Sequence, residues 1–98
     1  LSLHDALPIF QIITNVIDFK MNIAEATYAP RIHHQWYPEE LRVEKGINAD
    51  TKSLLEQRGH KVVYTNTMGA AQSILIDANG VLYGVADPRI PDGIVVGY

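Results

Sequence analysis

The chain has 98 residues, of which 47% are hydrophobic and 19% charged, and its formal net charge is -3. This length allows one domain or part of one, and the composition is typical of a globular chain. The eight Lys and Arg residues are scattered singly, so no basic stripe is available to bind a phosphate backbone. The sequence contains no Cys, and no apolar run is long enough to span a membrane. We therefore expect no nucleic-acid partner, no membrane segment and no thiol chemistry.

Apolar residues recur at helical spacing between residues 9 and 19. The positions that share one face of this helix are Ile9, Ile12, Ile13, Val16 and Ile17. So many β-branched residues make a strand the competing interpretation. We predict a helix.

A second, shorter helix is predicted immediately downstream. Asn22 followed by Glu25 has the spacing of a capping box, which begins a helix. Pro30 disfavours helical geometry in the residue before it, so this helix should end near Ala29.

An extended segment and a short strand are predicted next. Residues 31–38 carry two His, Trp36 and Tyr37, whose amphipathic rings suit a loop that lies over a core. Residues 41–44 alternate between apolar and charged side chains, which predicts a half-buried strand that closes at Gly46.

The second half of the chain begins with a helix that has clear ends. Asn48 can cap its start, and Gly59 is a favourable residue just past its end. Residues 62–64 read as a strand.

A β-hairpin is predicted from residues 73–76 and 81–86, since Gly80 between them can adopt a positive φ. Two turn signals then precede an apolar end, residues 94–98, which we expect to be docked in a sheet.

Several uncommon strings occur in one order along the chain. They are NIAEA (22–26), APRIHHQW (29–36), PEEL (38–41), GHKV (59–62), the 68–73 segment, DANGVLYG (77–84) and ADPR (86–89). Together they resemble the C-terminal part of the small subunit of bacterial γ-glutamyltransferases, without a gap from Gln11 to Tyr98.

The resemblance implies a fold and an activity for the complete enzyme. The fold is an α+β arrangement, a fragment of the αββα sandwich of N-terminal-nucleophile hydrolases, in which self-cleavage of a precursor produces a large and a small subunit. The new N-terminal Thr attacks the γ-glutamyl carbonyl of glutathione and related compounds, and its free α-amine can serve as the base. The glutamyl group then passes to water or to an amine. The family requires no cofactor, and in bacteria it is periplasmic or extracellular.

The residues that perform this chemistry in the family have no counterpart in the sequence. The nucleophile opens a Thr-Thr-His motif, and none of the five Thr residues stands in that context. A Gly-Gly pair that stabilises the oxyanion would align with Leu1 and Ser2, where a Leu side chain prevents the close backbone approach that Gly permits. We therefore assign no catalytic, cofactor-binding or metal residue. We expect the chain to be inactive alone and to need the rest of the small subunit and the large subunit as partners.

The first ten residues depart from the family pattern. Residues 1–10 contain His4, Asp5 and Pro8, which should interrupt the helix that the family continues here. We predict that residues 1–10 are a foreign leader and that residues 11–98 are the family segment. Lys20 replaces a common Gly, which should make the helix end less favourable.

Some charged residues allow alternative interpretations. His33 and His34 with Glu39 and Glu40 suggest a metal site, but adjacent residues on an extended chain point to opposite sides, so the two imidazoles cannot easily bind one ion and loop packing is favoured. Glu39 and Glu40 suggest an acid/base pair, but adjacent carboxylates usually mark a solvated helix start or turn, so surface positions are favoured.

Two arginines raise a similar choice. Arg31 and Arg89 are read as support residues that either stabilise turns or hold the active-site wall from behind. For the whole chain, the alternative to a structural part of the enzyme is a stand-alone α/β interaction module without activity.

Overall fold

The computed structural model describes residues 3–36, 39–91 and 93–96. Outside this set lie Leu1 and Ser2, the predicted loop and turn residues Tyr37, Pro38 and Asp92, and Gly97 and Tyr98 of the apolar end. The chain forms two compact units: unit 1 comprises Leu1–Ala29 and Gly69–Tyr98, and unit 2 is the continuous stretch Pro30–Met68 between them in sequence. In chain order the elements are α1 (Leu3–Ile17), α2 (Ile23–Tyr28), β1 (Ile32–His33), β2 (Leu41–Glu44), α3 (Ala49–Gln57), β3 (Val62–Thr65), β4 (Ser73–Ile76) and β5 (Leu82–Val85).

The first predicted helix is confirmed, and it begins earlier than predicted. Helix α1 starts at Leu3 and contains Pro8, so the expected interruption by His4, Asp5 and Pro8 is wrong. Pro8 is the sixth residue of α1, so its missing N–H removes one hydrogen bond of the helix, and the helix continues to Ile17. Ile12 is buried, whereas Phe10 and Ile17 on the same helix are 65% and 60% exposed.

The end of α1 places Lys20 in the left-handed region. Its φ is 57°, and the reversal lets the Met21 N–H donate to the Asn15 carbonyl at 3.0 Å. This conformation is favourable for Gly and costs other residues about 1 to 2 kcal/mol. The predicted penalty of a Lys at this position therefore has a structural cause.

Replacing Lys20 with Gly should stabilise the chain. We expect the free energy of unfolding to rise by about 0.5 to 1 kcal/mol, because relief of the left-handed strain exceeds the added entropy of the unfolded chain. Urea denaturation measures this difference. Lys45→Gly is the matched control, since Lys45 is also exposed but does not have a positive φ, and it should not stabilise. An equal gain in both variants would contradict the assignment of strain to Lys20.

Helix α2 has the predicted capping box. The Asn22 side chain accepts from the Glu25 N–H at 2.8 Å, and the Glu25 carboxylate accepts from the Asn22 N–H at 3.3 Å. The buried Thr27 hydroxyl donates its proton to the Ile23 carbonyl, so it accepts from the Ser73 hydroxyl at 3.0 Å and joins α2 to β4. The capping box therefore fixes the start of the helix that carries Thr27 to the hairpin.

The predicted hairpin is confirmed in strands β4 and β5, which pair antiparallel, and Gly80 in the turn has a φ of 80°. One side of the hairpin lies toward α2. The opposite side, here called the hairpin face, presents Ile74, Ile76 and Leu82, which are 73%, 68% and 66% exposed. Three large aliphatic side chains in adjacent positions are thus left in contact with solvent.

Unit 2 contains a three-stranded sheet of order β1, β2, β3, in which β1 and β2 are antiparallel and β2 and β3 are parallel. Its core consists of Leu41, Val43 and Val62, with Ile47 and Leu55 packed against them. Helix α3 connects the parallel strands, and its predicted caps are confirmed: the Asn48 side chain accepts from the Thr51 N–H, and Gly59 has a φ of 95°.

One prediction about the chain end is wrong. Residues 94–96 form no strand, and their exposed fractions are 79%, 46% and 65%. The strands β4 and β5 pair with each other, and the tail instead crosses β5 where Gly84 has no side chain to collide with Val95. The expected sheet docking is therefore absent within the described residues.

Candidate functional site

Asp87, which follows strand β5, is a deeply buried acid of unit 1. It is 1% exposed, and its Oδ2 accepts from the Ala71 N–H at 2.8 Å. Its Oδ1 accepts from the Arg89 N–H at 2.9 Å and from Arg89 Nη1 at 3.1 Å. Charge-assisted bonds of this kind are stronger than neutral ones, so the carboxylate fixes both the turn and the segment before β4.

Arg89 extends this arrangement to the end of helix α2. Its Nη1 donates to the Thr27 carbonyl at 3.0 Å, and its Nη2 donates to the Ala29 carbonyl at 3.0 Å. Carbonyls at the C-terminal end of a helix lack partners and carry partial negative charge, which a guanidinium satisfies. The Asp87–Arg89 clamp, as we name this pair, thus holds three separate backbone segments of unit 1.

A second buried acid, Glu44, joins the two ends of the unit 2 chain. Glu44, at the end of β2, is 5% exposed; its Oε1 accepts from the Arg31 N–H at 2.7 Å and its Oε2 from the Met68 N–H at 2.8 Å. Arg31 Nη1 also donates to the Met68 carbonyl at 2.9 Å. One carboxylate and one guanidinium therefore tie the entry and exit of the unit 2 chain together.

The support role predicted for Arg31 and Arg89 agrees with these contacts, since Arg89 pairs with Asp87 and both guanidinium groups hold backbone carbonyls. Sequence reasoning placed Glu44 on the polar side of a half-buried strand, which is wrong. An acid at the end of a strand and just before a Gly turn was the available signal, but the N–H groups that it binds are 13 and 24 residues away.

His33 and His34 lie in different environments. His33 is 6% exposed, and its Nε2 is 2.9 Å from Gln35 Oε1, whereas His34 is exposed and its Nδ1 accepts from the Trp36 N–H at 3.0 Å. No cluster of three or more potential metal ligands occurs within the described parts of the chain. Trp36 is 82% exposed, so its predicted packing over a core is wrong.

Glu39 and Glu40 have separate surroundings as well. Glu40 forms an ion pair with Arg42 at 3.1 Å. Glu39 lines a polar depression of about 300 Å³ together with His34, Gly59, His60 and Lys61, all of which are exposed. Such a solvated position matches the predicted surface role of Glu39.

Two of the Thr side chains form hydrogen bonds within their own helices. The Thr27 and Thr14 hydroxyls donate to the helix carbonyls of Ile23 and Phe10, both at 2.8 Å. The absence of a catalytic residue from this chain stays a prediction.

A model of the family described as Gamma-glutamyltranspeptidase matches residues 8–97. The chain belongs to the γ-glutamyltranspeptidase family. The resemblance seen in its sequence strings is thereby confirmed. Two curated relatives are named glutathione hydrolase proenzymes: that of Escherichia coli (strain K12) is 52% identical over 92% of this chain, and that of Pseudomonas sp. (strain A14) is 35% identical over 86%. The chain spans 16% of the length of each of them.

Solved γ-glutamyltranspeptidase structures share the fold. The T380A mutant of the Helicobacter pylori enzyme is 46% identical with a TM-score of 0.76, covering 87% of this chain and 48% of that one. The Pseudomonas nitroreducens enzyme complexed with L-DON is 28% identical with a TM-score of 0.77, and the match covers 93% of this chain and 47% of that one. The predicted fold class, an α+β fragment of the αββα sandwich, is confirmed by these similarities.

Two further observations concern the chain as a whole. Among the helices of the described residues, none has the length and apolar character needed to cross a bilayer. The family match begins at residue 8, and α1 runs through residues 10 and 11 without a break. The predicted boundary between a leader and the family segment stays a prediction.

Proposed function

We propose that residues 11–98 are the C-terminal portion of the small subunit of a γ-glutamyltransferase and that residues 1–10 are a leader of different origin. The observation that carries the first part is the match of residues 8–97 to the family by a chain that spans only 16% of its curated relatives. Exposed aliphatic residues on the hairpin face support it, because sheet faces in layered folds are normally covered.

The complete enzyme would cleave γ-glutamyl bonds of glutathione and related compounds. Attack by an N-terminal Thr forms an acyl-enzyme, and the glutamyl group is then transferred to water or to an amine. This chemistry uses the α-amine as base and requires no cofactor. The enzyme would work in the periplasm or outside the cell, with the large subunit and the rest of the small subunit as partners.

The share of this chain in that enzyme is structural. Helices α1 and α2 and strands β4 and β5 supply part of the sandwich, and the Asp87–Arg89 clamp fixes their relative positions within unit 1. The chain lacks a Thr-Thr-His motif and has Leu1 and Ser2 where the family has its Gly pair. We infer that nucleophile and oxyanion donors belong to another part of the protein.

The test is an activity measurement with a chromogenic γ-glutamyl anilide. We expect no product above the buffer background from the purified chain, because one nucleophile and two backbone donors are missing together. A complete enzyme from the family, assayed in parallel, is the positive control. Turnover that persists after repurification of the chain would overturn the proposal.

The alternative is a stand-alone α/β interaction module without activity. The gene segment upstream separates the two, since an encoded Thr-Thr-His motif and Gly-Gly pair in frame with this chain support the structural role. An upstream segment without them would favour the module.

A further inference from the structure

The turn between β4 and β5 contains a dipeptide with its own chemistry. Asn79 is followed by Gly80, and both residues are exposed. In such a pair the backbone nitrogen of the second residue can attack the side-chain carbonyl carbon of the Asn, since Gly has no side chain to hinder the approach. The four other Asn residues of the chain precede Val, Ile, Ala or Thr, whose side chains hinder this attack.

We propose that Asn79 is a site of spontaneous deamidation and that Asp77 is the positioning residue that slows it. The Gly80 nitrogen loses its proton and bonds to the Asn79 side-chain carbon, and the amide nitrogen leaves as ammonia. Water then opens the resulting five-membered imide. Residue 79 becomes aspartate or isoaspartate, and the balance is one water consumed and one ammonia released.

The reacting dipeptide lies at the surface. Asn79 and Gly80 are both exposed, and a Cβ atom added to Gly80 would meet nothing within 4 Å. No neighbouring side chain therefore crowds the Cα of Gly80.

The hydrogen bonds of the turn oppose the reaction. The Gly80 N–H donates to the Asp77 carbonyl at 3.0 Å, which makes its proton harder to remove. Asp77 Oδ1 accepts from the N–H groups of Asn79 and Val81 at 2.8 and 2.9 Å, which holds the backbone in this conformation. The Tyr83 hydroxyl donates to Asp77 Oδ2 at 3.1 Å and fixes the carboxylate.

The Asp77 carboxylate is negatively charged at the mildly alkaline pH at which the imide forms. Hydrogen bonds, led by that of the Val81 N–H, lower the pKa of Asp77 below its ordinary value despite the opposing effect of desolvation. An anionic Asp77 beside Gly80 also disfavours the negative charge that forms on the attacking nitrogen. The product would place a second negative charge two residues from Asp77, which should weaken the turn.

The experiment is incubation of the folded chain at mildly alkaline pH, followed by peptide mass spectrometry and detection of isoaspartate at residue 79. We expect the modification at Asn79 before any other Asn. Asp77→Ala should accelerate it about fivefold, which is equivalent to about 1 kcal/mol, the net worth of one hydrogen bond.

Two controls separate the local effect from unfolding. Asp50→Ala removes an exposed acid from α3 in unit 2 and should leave the rate unchanged. A synthetic peptide of residues 75–83 gives the rate without any fold, and wild type should be slower than this peptide. Deamidation of wild type at the peptide rate, or an unchanged rate in Asp77→Ala, would overturn the protective role. If another Asn were deamidated before Asn79, the assignment of Asn79 as the deamidation site would be wrong.

Discussion

Replacing Asp87 with Ala should destabilise the chain by about 3 to 5 kcal/mol, a large part of the stability of an ordinary domain. The change removes the carboxylate that pairs with Arg89, whose side chain is 8% exposed, and it removes the acceptor of the Ala71 N–H. A buried charge that loses its partner is more unfavourable than no charge at all. Urea denaturation followed by circular dichroism measures the loss.

Two variants show whether the effect belongs to the clamp. Asp18→Ala removes an exposed acid after α1 and should change stability by less than about 0.5 kcal/mol. Asp87→Asn keeps the shape of the side chain but removes its charge, so its free energy of unfolding should lie between those of wild type and Asp87→Ala. A loss below about 1 kcal/mol for Asp87→Ala would mean that the clamp contributes little to stability.

The second large effect concerns association. The isolated chain should self-associate or bind a hydrophobic dye strongly, because Ile74, Ile76 and Leu82 of the hairpin face are exposed together with much of α1. Each large side chain left uncovered forfeits about 1.5 to 3 kcal/mol. Supplying the upstream portion of the protein should suppress both signals in light scattering and dye fluorescence.

A matched pair of substitutions tests the location of this surface. Ile76→Asp lies on the hairpin face and should reduce dye binding, whereas Leu54→Asp alters a single exposed Leu of α3 and should change it little. A monodisperse wild-type monomer with a sharp cooperative melt and no dye binding would favour the stand-alone module.

The features that sequence reasoning predicted correctly are those with local causes. The capping box of Asn22, the cap at Asn48 and the positive φ of Gly59 and Gly80 depend on residues only a few positions apart. Short-range hydrogen bonds and steric limits decide such features, and both are visible in the sequence.

The features that were missed depend on distant partners. Glu44 is buried because its carboxylate receives N–H groups from Arg31 and Met68, which the strand pattern around it does not show. Residues 94–96 look like a strand, but a strand forms only by backbone pairing with a partner, and Val95 instead packs against β5 at Gly84. Pro8 reads as a helix breaker in isolation, but its missing N–H removes one hydrogen bond of α1 and the helix continues.

The division of the chain also orders the events of biosynthesis. Unit 2 is one continuous stretch, so all of its internal contacts can form as soon as Met68 has left the ribosome. Unit 1 is discontinuous: Arg89 binds the carbonyls of Thr27 and Ala29, which are 62 and 60 residues earlier. Translation adds only about 5 to 20 residues per second, so Arg89 is synthesised several seconds after helices α1 and α2. During this interval Ile12, which is buried in the folded chain, is accessible to chaperones.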